Sequence, residues 1–544
     1  MSRRRTRWSA TRARQLVQVA FLLLFFALVI ATCFHAGSAP GAWLKLFFLI
    51  DPLILLATWL TTHTLVAAGL WSLATLAVTI VMGRVFCGWI CPLGTLFSMA
   101  GWVFDRVWPN RKRRDHWSPW QRTKYYLLVG FLAMAALGSH WVCVMDPIVL
   151  LYRSTATALL PGTQWVLEEF STAIYRADPG VGSLRLAKLT EPAYQAIRTT
   201  AFNVEKQAFL GGGVVLAIFV LLLLLNKVRR RFWCRYLCPL GALLGLFGRW
   251  PVLRRKVNPQ MCNQCDLCAQ NCHGAAGCTP GDQWKPSECL GCLNCTDSCR
   301  RDSLSFTFVS PLQKEPRREP IDLSRRATIA AAVGGLATLA FLRGSPQARG
   351  KTYNPALVRP PGARLERDFL QRCTSCGVCM KVCPTGGLQP TWAEAGLEGL
   401  WTPRLVPRIG QCDYTCNLCG QVCPTEAIQP LTVEEKQKVR IGLASFDITR
   451  CIPYAYAREC TVCEEHCPIP DKAIYVIPTE IVTRSGEKKT VKQPHVDVEK
   501  CIGCGICENV CPFKDSPGVR VTSANETRHP ENQPFLSGGG DAGY

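Results

Sequence analysis

The sequence contains no short motif for bond-making chemistry: no phosphate-cradling nucleotide loop, no flavin or dinucleotide glycine fingerprint, no G-x-S-x-G elbow and no haem-attaching C-x-x-C-H. A hydrolase, a nucleotide-dependent enzyme and a c-type cytochrome are excluded on that ground. Acidic residues are also scarce, 39 against 62 Lys and Arg, for a net charge of +23. The shortage is local: residues 351 to 544 hold 22 basic and 22 acidic side chains, leaving 40 against 17 in residues 1 to 350. The basic half is also the apolar half, so bilayer orientation explains the excess better than nucleic acid does. No nucleic-acid partner is expected.

Long apolar runs are abundant, and 48% of the chain is hydrophobic. Leu16 to Phe34, Thr64 to Gly83, Tyr125 to Met145 and Gln207 to Asn226 are nearly uncharged. Each has about 20 residues, the length that crosses a bilayer core. Four spanning helices are expected. Ala42 to Leu60 is broken by Lys45 and Asp51-Pro52, so it should dip into or lie along one surface. Lys and Arg crowd residues 3 to 14, 105 to 124 and 227 to 256, whereas 146 to 206 is balanced. The positive-inside rule then places the N-terminus, the 84 to 124 loop and the chain after Asn226 in the cytoplasm, with 35 to 63 and 146 to 206 outside.

The membrane half repeats itself. Asp51-Pro52 leads to GRVFCGWICPLGT and Asp146-Pro147 leads to RRFWCRYLCPLGA, which share C-x-x-x-C-P-L-G. Cys87, Cys91, Cys234 and Cys238 should converge, as ligands of an iron–sulfur centre, as redox-active disulfides or as packed thiols. Asp51 and Asp146 are intramembrane ionisable groups and so candidates for proton exchange with quinol. Asp before Pro is equally an N-cap followed by a first helical residue. His35, His63 and His140 fall on the same outer side as weaker candidates, and Cys33, Cys143 and Cys278 fit no ligand spacing.

Of 31 cysteines, 24 fall into six quartets. Residues 262 to 299 read C-x2-C-x2-C-x3-C twice, the spacing of a two-cluster ferredoxin in which the fourth Cys ligates the other cluster. Cys262, Cys265, Cys268 and Cys299 would hold one [4Fe–4S] cluster, and Cys289, Cys292, Cys295 and Cys272 the second. Four more quartets follow: Cys373, Cys376, Cys379, Cys383; Cys412, Cys416, Cys419, Cys423; Cys451, Cys460, Cys463, Cys467; and Cys501, Cys504, Cys507, Cys511. Zinc competes poorly, since a third Cys at each hook is superfluous for one tetrahedral ion. Six clusters and no catalytic motif describe an electron wire. Between the cysteine regions, Ser324-Arg325-Arg326 and the run Ala327 to Leu342 look like an internal twin-arginine export signal. Pro346-Gln347-Ala348 is a poor cleavage site, so an uncleaved fifth anchor is expected, with a short buried helix as the alternative.

With four spans, paired C-x3-C-P motifs and a two-cluster tail, residues 1 to about 310 resemble the membrane ferredoxin-type subunit (NapH/MauN-type) of the quinol dehydrogenase serving periplasmic nitrate reductase. With the twin-arginine segment, VRPPGARLERDFLQRCTSCGVCMKVCP and the long Cys451 to Cys460 gap, residues 315 to 515 resemble its periplasmic partner (NapG/MauM-type). Related pairs serve methylamine utilisation and nitrous oxide respiration. The resemblance implies quinol oxidation at the membrane, with Asp51, Asp146 and His63 as quinol-site candidates, and electrons leaving through a periplasmic four-cluster head. By the same analogy Cys373, Cys376 and Cys379 would share a cluster with Cys511, and Cys501, Cys504 and Cys507 with Cys383, the two middle quartets exchanging likewise. Two departures stand out: Cys412-x3-Cys416 is wider than usual, and His273 follows Cys272 where Pro is common.

The expected fold is multi-domain, an α-helical membrane bundle of four spans and a fifth anchor carrying two α+β ferredoxin-like modules. Its parts are a membrane domain (1–256), a cytoplasmic two-cluster module (257–312), the twin-arginine segment and anchor (313–350), a periplasmic four-cluster module (351–515) and a flexible tail (516–544). Six [4Fe–4S] clusters are expected, with one further metal or disulfide centre left open and quinol as substrate. The expected partners are membrane lipid, the quinone pool and a periplasmic cytochrome c or reductase, at a bacterial inner membrane. An electron-donating maturation factor and a redox sensor are the alternatives.

Overall fold

The computed structural model describes residues 9–32, 41–108, 116–177, 180–181, 184–202, 207–277, 284–309, 321, 323–344, 354–482 and 486–529. Cys33, His35, Cys278 and Pro346 to Ala348 lie outside them. The chain forms two compact units: Met1–Val29, Lys45–Thr155 and Gly213–Phe341 make one, and Ile30–Leu44, Ala156–Gly212 and Leu342–Tyr544 the other.

The helices that build the first unit are α1 (Ala10–Ala31), α2 (Pro52–Thr62), α3 (Ser72–Met82), α4 (Pro92–Val107), α5 (Thr123–Ala136), α6 (Pro147–Ser154), α7 (Gly212–Leu224), α8 (Pro239–Phe247) and α9 (Arg325–Leu342). Among described residues only α1 and α9 have the length and hydropathy to cross a membrane alone. A third span results if Trp43–Leu49 and α2, bent by 79°, count as one. The other expected spans are shorter helices because their apolar runs change conformation midway. Thr64 to Gly83 contains a 3-10 turn at Ala67–Trp71 before α3, and Tyr125 to Met145 leaves α5 at Ala136 and resumes as a 3-10 turn at Trp141–Met145. Gly138, at φ 83°, sits in that break, a conformation glycine adopts without steric cost.

Both repeats start their helices alike. Asp51 and Asp146 cap α2 and α6 with Pro in the first turn, and Cys91 and Cys238 cap α4 and α8, their Sγ accepting from the Gly94 and Gly241 N–H at 3.5 and 3.2 Å. The buried face of α1 recurs at helical spacing, Arg14, Gln18, Leu22 and Phe25, and its apolar end meets Phe47 edge-on at 5.3 Å. Helix α9 crosses α5 at small residues: a Cβ on Gly335 would stand 2.4 Å from the Gly130 carbonyl oxygen. Without side chains, Gly130 and Gly335 let the two helix backbones touch.

After α8, β1 (Leu253–Val257) pairs antiparallel with β2 (Leu304–Phe308), Leu253 opposite Phe308, and closes the 262 to 299 module. The module is tied to the helices by buried Glu288, which accepts from Lys124 Nζ, from Arg84 Nη1 at 3.4 Å, from Gln121 Nε2 at 3.3 Å and from the Tyr125 hydroxyl at 3.2 Å. The second unit contains three two-stranded sheets in its cysteine-rich part: β3 (Leu388–Pro390) with β4 (Pro403–Leu405), β5 (Leu443–Phe446) with β8 (Val519–Thr522), and the hairpin β6 (Ile474–Val482) with β7 (Lys488–Val496). The expected tail therefore begins later than 516. Val519 is buried, and Arg528 Nη1 reaches Glu366 Oε2 at 2.8 Å, because the β5 edge needs a partner strand that only β8 supplies.

Candidate iron–sulfur sites and the paired cysteine tetrad

Each C-x2-C-x2-C hook runs along an irregular loop and ends in a helix of four or five residues, so three thiols point toward one centre. The turns need left-handed backbone: Gly377 and Gly505 have φ of 82° and 80° at the starts of these helices. Cys262, Cys265, Cys268 and Cys299 line one cavity of about 190 Å³. Cys289, Cys292 and Cys295 lie against Cys272. In the first module the fourth cysteine of each quartet therefore lies with the three-cysteine hook of the other.

The second unit differs from the expected pairing. Cys383 lines a cavity with Cys412, Cys416 and Cys419, not with the last quartet, and Cys423 lies against Cys373, Cys376 and Cys379. Likewise Cys511 joins Cys451, Cys460 and Cys463, and Cys467 joins Cys501 and Cys504. Exchange occurs between adjacent quartets because each pair closes its own core, one around Phe369, Met380 and Leu405, the other around Ala444, Ile474 and Val521. The two pairs meet where the Cys412 N–H donates to the Cys504 carbonyl at 2.8 Å.

Burial, and then the crowding of neighbouring thiols, pushes Cys289 and Cys463 up to about 12. Thiols held so close resist ionising together, and a polynuclear cation relieves both penalties at once. Among described residues no three Cys, His, Asp or Glu side chains are close enough to hold a single metal ion. Tetrahedral Zn–S bonds of about 2.3 Å would require that tighter packing. The donor sets fit [4Fe–4S] clusters, which supply one-electron transfer when bound.

The cysteines of the paired C-x3-C-P motifs also converge. Cys87, Cys91, Cys234 and Cys238 are buried, and Cys91 and Cys238 each have both Cys87 and Cys234 as electrostatic neighbours. No disulfide joins them. Two arginines that the sequence reading passed over exchange across the repeat, each three residues before its first cysteine. Arg231 Nη1 donates to the Cys87 carbonyl at 2.8 Å, and Arg84 Nη2 stands 2.7 Å from where a Cβ on Gly241 would be. Aligning RVFC with RFWC would have found them. Buried Nε and Nη2 of Arg84 have no hydrogen-bond partner, leaving positive charge directed at the thiols.

Of Asp51, Asp146, His63 and His140, only the two aspartates are brought together. Asp51 and Asp146 are fully buried near one another, each with Oδ1 accepting helix-start N–H groups at 2.8 Å. The two carboxyl side chains stand within hydrogen-bonding reach of each other. His63 caps the far end of α2, 11 residues of helix away, and is exposed, while His140 is buried against the Thr58 hydroxyl at 3.1 Å. Cys143 is buried in the turn after α5, as a packing residue would be.

A family profile described as a 4Fe-4S binding domain matches residues 64–114 and 210–258, the two repeats, and a second profile of the same description matches 370–389 and 494–514. The methylamine utilization ferredoxin-type protein MauM of Methylorubrum extorquens is 34% identical over 197 residues, 36% of this chain and 84% of that protein. The ferredoxin-type protein NapG of Escherichia coli K12 is 34% identical over 189 residues, 35% and 79% of the two chains. The putative electron transport protein YccM of the same organism is 24% identical over 278 residues, 51% and 65%. No solved structure matches. Iron–sulfur electron transfer is thus common to the relatives and to the site geometry, and the chain belongs to the family of ferredoxin-type proteins that includes MauM and NapG.

Proposed function

We propose that the protein is a membrane quinol dehydrogenase that passes electrons through six [4Fe–4S] clusters to a periplasmic acceptor, a cytochrome c or a reductase. The observation that carries the reading is the pairing of two cysteine-lined modules with a duplicated helical domain whose four thiols converge beside buried arginines. In this reading Ala67–Met82 and Gly212–Lys227, 16 residues each, complete the spans with α1, α5 and the anchor α9. The basic loops keep the 262 to 299 module in the cytoplasm, and α9 carries the head to the periplasm.

The residues divide the work physically. The hooks hold each cluster rigidly, so little reorganisation accompanies a change of charge. Within the head, the shared ligands and the Cys412 to Cys504 hydrogen bond set the sites in series, with the Cys373 set at one end and the Cys451 set at the other. The test is anaerobic mixing of the purified chain in lipid nanodiscs with a short-chain quinol. Iron and sulfide of about 24 each per chain and visible bleaching of the clusters by quinol are expected. Clusters that dithionite reduces but no quinol does would refute the dehydrogenase.

A further inference from the structure

The first unit contains a cavity of about 730 Å³ between α1 and α4, floored by the two-cluster module. That volume lies within the range of small-molecule sites. Its walls are amphipathic. On one side stand Val19 of α1 and Met99, Trp102 and Val103 of α4, all exposed and apolar. On the other side stand Thr11, Arg14 and His273.

The polar side is built but incomplete. Arg14 is buried, with Nη1 and Nη2 donating to Gln18 and Asn294 at 3.1 Å each, yet its Nε has no partner. His273 fixes Nε2 against the Asn294 amide at 3.1 Å, and its buried Nδ1 has no partner; nor has Thr11 Oγ1. These three buried polar atoms without partners belong to residues that line one cavity, and a ligand with oxygen acceptors would complete them.

Both cysteine systems border this space. His273 follows Cys272, and Arg14 is an electrostatic neighbour of Cys292. On the opposite wall the Ser98 hydroxyl accepts from Arg231 Nε at 3.0 Å and Nη2 at 2.7 Å, and the same guanidinium donates to the Cys87 carbonyl. We infer that this cavity is the quinol head-group site, with the ring oxygens bonded by His273 and Arg14 and the isoprenoid tail leaving between Val19 and Val103. The inference rests on the dehydrogenase reading and moves the site from the Asp51 and Asp146 side to the edge beside the two-cluster module.

A phospholipid phosphate fits less well. Arg230 is held by Asp105 at 2.5 Å and Arg231 by Ser98, and the Asp297 carboxylate on the same wall would repel an anion. A neutral ring with two oxygens meets no such opposition. A quinol oxidised here becomes quinone by losing two electrons and two protons. The electrons pass one at a time to the cluster of the Cys272 set, reoxidised between transfers by the clusters beyond it, and the protons leave to water.

The experiment uses the full chain in nanodiscs, photolabelled with an azido-menaquinone and mapped by mass spectrometry, alongside His273→Leu and Val103→Trp variants. Label on peptides spanning 95 to 103 or 271 to 274, displaced by excess unlabelled quinone, is expected. Both variants should lose roughly tenfold in labelling, the scale of one hydrogen bond or a blocked tail path. Their dithionite-reduced cluster EPR should stay unchanged. Label confined to peptides around Asp51 and Asp146, or undiminished label in both variants, would overturn the site while leaving the dehydrogenase standing. Absence of specific label together with absence of quinol-driven cluster reduction would overturn both.

Discussion

Replacing Glu366 by Gln should strongly destabilise the second, cysteine-rich unit. Glu366 is buried, and its carboxylate meets Arg359 through two bonds, Nε to Oε2 at 3.1 Å and Nη2 to Oε1 at 2.5 Å, and Arg528 Nη1 at 2.8 Å. Burial by itself would raise its pKa, but the two guanidinium groups overcome that and hold it down at about 2, against an ordinary 4.5. Because the folded value is depressed, the stabilisation is complete above 4.5 and is lost as pH falls toward 2. At pH 7 it amounts to about 3 kcal/mol, at about 1.4 kcal/mol for each tenfold in proton affinity. The Gln variant also leaves Arg359 buried without its counter-ion, and breaking such pairs costs about 3–5 kcal/mol. Urea unfolding followed by head-specific tryptophan fluorescence, with hydrogen exchange over residues 519 to 529, measures the effect. The variant should unfold at lower urea and release β8, and its deficit should narrow by roughly 1 kcal/mol between pH 5 and pH 3.5 as this carboxyl takes up a proton in the unfolded wild-type chain while staying ionised in the folded one. An unchanged midpoint, or a deficit that stays constant over that pH interval, would refute the reasoning.

Cys383→Ser should remove the cluster of Cys412, Cys416 and Cys419 and about four irons per chain, while the EPR signal of the Cys501 set survives; loss of the Cys501 cluster instead would restore the nested pairing. If Cys87, Cys91, Cys234 and Cys238 form one redox centre, serine at any of them should abolish quinol-dependent reduction of the head and leave dithionite reduction intact, because Ser keeps the packing but is a poor soft-metal ligand; a parental quinol rate would remove the tetrad from the pathway. Reporter fusions after residues 310 and 540 should report cytoplasm and periplasm, and the same compartment at both would eliminate the α9 crossing.

What could be read from the chain was what depends on spacing along it. The hooks, the exchange inside the 262 to 299 module, the duplication and the Asp-Pro and Cys-Pro helix starts are local, and each appears where the residues place it. The pairing in the head was misread because analogy with a nested arrangement displaced the adjacent-exchange rule that had worked one module earlier. Had that rule been applied to successive quartets, Cys383 with the Cys412 set and Cys511 with the Cys451 set would have followed. Apolar runs overstated helix length for a different reason. Hydropathy measures solvent preference alone, and it does not register a left-handed break such as Gly138 inside an otherwise uniform run.

The quinol cavity was invisible for a reason that is geometric rather than local. Its polar atoms come from residues 11, 14 and 273, and its link to the tetrad from residues 98 and 231, so no window of sequence contains two of its walls. The trace that did exist was His273 standing where Pro is common after a fourth cluster cysteine. Proline there would end the segment and offer no side-chain donor. Histidine instead places a ring beside that cysteine, with one nitrogen bonded to Asn294 and the other buried without a partner. A residue that breaks a local rule at a redox centre, with half of its hydrogen-bonding capacity unspent, marks where a second molecule meets the wire.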